Sequence, residues 1–152
     1  MNRAVILLFA AALWLTGCGP AAPVSTAKAD PTTEAWYSET TARLTTMMRA
    51  AEQLFQNGKT QEAAAIVTSG QSLQNRLLTA PRPTLAAMEA IADLDRLYGQ
   101  LLMANGSYGS ARMLFQNNVT RWKTWKPQTP ETEERLKQAN ADLAACDRHM
   151  GA

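Results

Sequence analysis

The sequence predicts an all-α domain of about five helices folded as antiparallel hairpins. Three observations carry that prediction. From residue 33 onward the apolar residues recur at steps of three and four, the period of a helix face. Asn-Gly or proline breaks interrupt them at intervals that suit a helix. No segment alternates with the period of two that a half-buried strand requires.

Helix one is expected to begin near Thr32 or Thr33 as N-cap, with Glu34 in the first turn, where a carboxylate complements the helix dipole. Leu44, Met47, Met48, Ala51, Leu54 and Phe55 make its apolar stripe, and Asn57-Gly58 ends it because glycine takes the left-handed conformation cheaply. Helix two starts at about Thr60, buries Ala63, Ile66, Val67, Gly70, Leu73 and Leu77, and stops before Pro81. Helix three opens at Pro83 or Thr84 and runs to Asn105-Gly106, with Met88, Ile91, Leu94, Tyr98, Leu101 and Leu102 on its stripe. Helix four is capped by Ser107 and carries Ala111, Leu114, Phe115, Val119, Trp122 and Trp125 before Pro127. Helix five opens on Thr129-Pro130-Glu131 and carries Leu136, Ala139, Leu143, Cys146 and Met150. Those five step by three and four throughout, so Cys146 is expected to be buried.

Ahead of the helical domain (33–150) lie two segments of different character. Asn2 and Arg3 precede an unbroken apolar run from Ala4 to Leu15, too short to span a bilayer, and Leu15-Thr16-Gly17-Cys18 follows it. This pattern resembles the lipobox of bacterial lipoprotein signal peptides. The resemblance implies that 1–17 is a signal peptide, that Cys18 carries the lipid and becomes the mature N-terminus, and that the protein sits in the cell envelope. Gly19 in place of aspartate resembles lipoproteins sorted to the outer membrane, here facing the periplasm. Residues 18–32 read as the lipidated cysteine and a flexible tether of Pro, Ala, Ser and Thr, with a reach of roughly 20 Å.

Helices one and two laid over three and four at an offset of 48 reveal an internal repeat. Ala51 falls on Gly99, Leu54 on Leu102, Asn57-Gly58 on Asn105-Gly106, Ala63 on Ala111, Ile66 on Leu114 and Val67 on Phe115. Small residues at 51, 99, 63 and 111 let paired helices approach, and the large ones fill the space between. Gly99, Leu102, Gly106, Tyr108, Ala111 and Phe115 resemble a tetratricopeptide-type hairpin, whereas the first hairpin has Thr60 where that pattern has an aromatic. The family repeats every 34 residues and begins each unit with a tryptophan, where this chain has Met47 and Asp95. The resemblance covers 47–119 and implies stacked hairpins; a plain helical bundle is the alternative architecture.

Composition narrows the function. A formal charge of +2, one unit of it from Arg3, lacks the basic excess that neutralising nucleic-acid phosphates requires. No Ser-His-Asp set, phosphate-binding glycine loop or paired-histidine motif is present, no cofactor is implied, and the acids are scattered. Asp93 and Asp95, and Glu131, Glu133 and Glu134 at a helix start, read as solvated groups. Cys146 and His149 are three apart on one helix and could bind a soft metal; a buried cysteine beside a terminal histidine accounts for them better. Arg121-Trp122-Lys123-Thr124-Trp125-Lys126 interleaves cations with aromatics. It could lie on lipid, grip a partner, or turn Trp122 and Trp125 toward helix five. The reading that results is a lipid-anchored envelope protein that binds or scaffolds another envelope protein and is not an enzyme; an enzyme or metal-binding protein using Cys146, His149 and carboxylates is the alternative. Helices one and three are expected to line a concave face with Arg43, Gln53, Arg96 and Gln100 as polar contacts.

Overall fold

The computed structural model describes residues 29–151. The lipobox, Cys18 and most of the tether lie outside the described residues. The helices are α1 (Ala35–Gln56), α2 (Thr60–Leu77), α3 (Leu85–Ala104), α4 (Tyr108–Thr124) and α5 (Pro130–Met150), and the described residues hold no strand. Each helix sits on its expected segment.

The two hairpin turns are the same structure 48 residues apart. Gly58 and Gly106 adopt φ of 76° and 73°. Lys59 N donates to Leu54 O at 2.9 Å, and Ser107 N to Leu102 O at 2.8 Å. Gly58 N reaches Phe55 O at 3.0 Å, and Gly106 N reaches Met103 O at 2.9 Å. Both close the preceding helix with left-handed glycine, which satisfies its last carbonyls. This explains one departure from expectation: Ser107 stands at the N-cap but its hydroxyl caps nothing, because the turn already fixes its backbone at φ −85°, ψ 55°. A second departure lies at the start. Thr32 and Thr33 do not cap α1; Asp30 caps a short 3-10 turn over Pro31–Thr33, taking the Thr32 N–H at 3.0 Å, and Glu34 is left as the N-cap of α1. Thr84 and Thr129 cap α3 and α5 through their hydroxyls, and Thr129 forms a reciprocal capping box with Thr132.

The packing is an open stack. α1 packs on α2 and α3, α3 on α2 and α4, and α5 chiefly on α4, with only a short contact to α3. No Cα of α1 or α2 lies within 8 Å of one in α4 or α5, which a closed bundle would require. The main core joins α1, α2 and α3 around Tyr37, Leu44, Val67, Leu77, Ile91 and Leu94. Two smaller clusters attach α4 and α5: Trp122 with Ala92 and Ala139, and Phe115 with Ala111 and Cys146.

One buried feature runs against the reading of the acids as solvated. Asp95 is 5% exposed and accepts from Gln74 Nε2 of α2 at 2.9 Å and from Arg121 of α4 at 2.8 Å. Arg121 also donates to Asn118, whose amide donates to the Ala92 carbonyl at 2.9 Å. A carboxylate in that position is tolerated because both of its oxygens have donors and one donor is a guanidinium. The network ties the second helix of each hairpin to α3.

Candidate binding groove

A groove of about 640 Å³ runs between α1 and α3 and is walled at one end by α5. It follows from the helical period. On α1, Thr45, Arg49 and Gln53 step by four along the flank turned toward α3, with Glu52 and Gln56 beside them. Ala86, Glu89, Ala90, Asp93 and Arg96 face them from α3, and Arg135 enters from α5. Met48 and Ala90 are buried beneath and give the groove an apolar floor.

Its charges are mostly paired. Arg96 bridges to Glu52 across the groove at 3.3 Å. Arg135 reaches Asp93 at 2.6 Å and Glu89 at 3.5 Å, fastening α5 to α3. Arg49 is exposed and makes no ion pair among the described residues, so it is the groove's available cation. Where α3 and α5 diverge, a pocket of about 50 Å³ holds Asp142 beside Arg96, Arg135, Asn118 and Gln138. Burial raises the Asp142 carboxyl above its ordinary range; the bond from Gln138 Nε2 at 3.0 Å and the Arg96 charge oppose the rise, while Glu52 adds to it.

Of the residues expected on the concave face, Gln53 and Arg96 line the groove, while Arg43 and Gln100 do not. Arg43 stands six positions before Arg49, about 120° away around the helix, and is exposed on the opposite flank. Gln100 is half-buried, and its side-chain oxygen has no hydrogen-bond partner. Arg49 and Arg135 were not among the expected contacts. The four-residue row from Thr45 to Gln53 was the available signal for Arg49; Arg135 has no counterpart in the two-hairpin repeat.

The aromatic-cationic segment resolves residue by residue. Trp122 is 2% exposed, packed between Ala92 of α3 and Ala139 of α5, which removes it from the surface contacts. Trp125 is half-buried against the same cluster, its ring 6.4 Å from that of Trp122 in an edge arrangement. Arg121 is committed to Asp95. Lys123 and Lys126 are exposed.

Cys146 is fully buried, and its thiol lies 3.3 Å from the Tyr108 carbonyl as donor. Burial pushes its pKa up, Asp147 adds to the rise and Arg112 opposes it, so the thiolate is disfavoured. His149 stacks on the Tyr108 ring, centroids 5.1 Å apart and planes within 5° of parallel. Among the described residues no cluster of three or more His, Cys, Asp or Glu could hold a metal ion. No helix of the described residues is long and apolar enough to cross a membrane.

Comparison of the chain with protein-family models, with characterised proteins and with solved structures finds no match.

Proposed function

We propose that the protein is a lipid-anchored envelope protein whose helical stack holds a segment of another envelope protein in the α1–α3 groove. The observation that carries the reading is the groove itself: an apolar floor of Met48 and Ala90 flanked by polar side chains, one of them the free cation Arg49. A long, open, mixed surface of this kind suits an extended peptide or a helix better than a small molecule, which is usually enclosed. The lipid on Cys18 would confine the protein to the membrane plane, so a modest affinity for a neighbour suffices.

Two experiments test the parts separately. Cys18→Ala should leave an uncleaved precursor and abolish membrane fractionation; unchanged processing would end the anchoring part. A photocrosslinking residue at Gln53 should capture a defined envelope protein in cells, and one at Met113, 69% exposed on the outer side of α4, should not. Arg49→Glu should diminish the Gln53 product. Equal capture at both positions, or capture indifferent to Arg49, would refute the groove.

A further inference from the structure

A second groove, of about 360 Å³ and almost wholly apolar, lies on the other flank of the first hairpin, between Thr46, Met47 and Ala50 of α1 and Ala65, Ile66 and Ser69 of α2. The internal repeat shows what a face of this kind is built against. Thr46, Met47 and Ala50 correspond, 48 residues on, to Leu94, Asp95 and Tyr98. In α3 that face is sealed by α2, the second helix of the preceding hairpin. Gln74 bonds to Asp95, and α2 comes so close that a Cβ on Gly70 would lie 2.8 Å from Leu94 Cδ1. No hairpin precedes α1 among the described residues. Where α3 has Asp95, which takes a polar cover, α1 has Met47, which takes an apolar one.

We infer that this groove is a self-association face, covered by the same groove of a second copy of this chain. The α2 half supplies Ala65 and Ser69, a turn apart, which allow close approach, with Ile66 beside them as its bulky apolar side chain. Because both halves share one face, a two-fold axis satisfies both at once. Charge selects the orientation. Arg43 lies one turn before Met47 and Glu62 one turn before Ile66, so with antiparallel helices they mark opposite ends of the groove. A two-fold axis crossing the helices sets each Arg43 against the second copy's Glu62. Among the described residues Arg43 makes no ion pair, and Glu62 has only Lys59 at 3.4 Å, the side chains of Lys59 and Glu62 both more than half exposed. Glu39 lies a further turn out on the Arg43 side. The polar α1–α3 groove is on the other flank of α1 and stays open, so the dimer carries two of them.

The test uses the full chain, in membranes and then purified in detergent. A short bis-maleimide should link Thr46→Cys and Ala65→Cys variants into dimers of twice the chain mass; Cys146 is buried and stays silent, and Met113→Cys serves as a control that should not link. Arg43→Glu and Glu62→Arg should each weaken self-association about tenfold, or about 1.4 kcal/mol shared between the two symmetry-related rim pairs that each change removes, and the double exchange should restore it. Both positions are exposed, so folding is retained and circular dichroism checks it. A monomer by sedimentation, linking no better than Met113→Cys, or linking to a species of another mass overturns the inference. So does a double exchange that fails to restore dimers when each single variant lost them.

Discussion

Gly99→Ala is expected to destabilise the fold, and Phe115→Val is expected to rescue it. A Cβ at 99 would fall 2.5 Å from Phe115 Cε1 and 2.7 Å from Cζ. Ordinary carbon contacts are about 3.5 to 4.0 Å, so the ring or the helix must give about 1 Å. Phe115 is 1% exposed in a cluster with Ala111 and Cys146, and a rigid ring in such a site has nowhere to turn. Overpacking of this kind costs about 1–3 kcal/mol, and the gain from replacing a helical glycine offsets about 0.5–1 of it. A net loss of about 1–2 kcal/mol should appear in urea unfolding at unchanged slope. The first hairpin shows the remedy: Ala51 and Val67 occupy the corresponding positions, 0% and 1% exposed. Phe115→Val alone opens a cavity and should cost about 2–3 kcal/mol, yet the double variant recreates the Ala–Val pair and should be more stable than the sum of the singles by about 1 kcal/mol or more. A neutral Gly99→Ala, or strictly additive effects, would refute the claim that the two hairpins solve one packing problem with complementary volumes.

Three further outcomes are expected. Cys146 should react slowly with a thiol reagent in the native protein and fast in denaturant, since it is fully buried with a raised pKa; rapid native labelling would contradict its placement. Arg121→Met leaves Asp95 buried with Gln74 as its one remaining donor and should cost about 2–4 kcal/mol in urea unfolding, recovered in part by adding Asp95→Leu. Burial raises Asp142, so folding favours its protonated form; that contribution is complete below the unfolded pKa and is lost as pH rises through the folded one. Asp142→Asn should therefore raise the Tm at pH 7 and leave it unchanged at a pH where the wild-type acid is already protonated.

The helices and both glycine turns were legible in the sequence because they depend on local periodicity and on residues that only a left-handed turn favours. The burial of Cys146 was legible for the same reason, its stripe on α5 stepping by three and four, although Met150 at the end of that stripe is exposed because no described helix extends over the last turn. The polar interior was not. Asp95 reads as a surface acid until the chain is folded, and its donors arrive from residues 74 and 121, on two other helices. A hint existed in the repeat, which sets Asp95 on the apolar position of Met47. Two of the four expected groove contacts were legible, since Gln53 and Arg96 follow from assigning α1 and α3 as first helices. Arg43 was misplaced because membership of a helix does not specify a flank, and the flank depends on how α1 and α3 cross.

The same offset bears on why α3 packs on both α1 and α2, whereas α5 packs chiefly on α4 and meets α3 only briefly. Gly70 and Gln74, which bring α2 onto α3, correspond to Asn118, which bonds to the Ala92 carbonyl of α3, and to Trp122, which packs on Ala139 of α5. Glycine lets Leu94 press against the α2 backbone, whereas an indole must be given room. Ala92 and Ala139 provide that room, so Trp122 lies between α3 and α5 as a spacer. α5 consequently leans on α4 and touches α3 only briefly. Beside the gap so formed Asp142 stands half-buried, and Arg135 bridges it to Asp93 and Glu89. The glutamine-to-tryptophan divergence between the repeats thus holds α5 off α3 beside the end of the groove that Arg135 walls, so core volume as well as polar lining shapes that end.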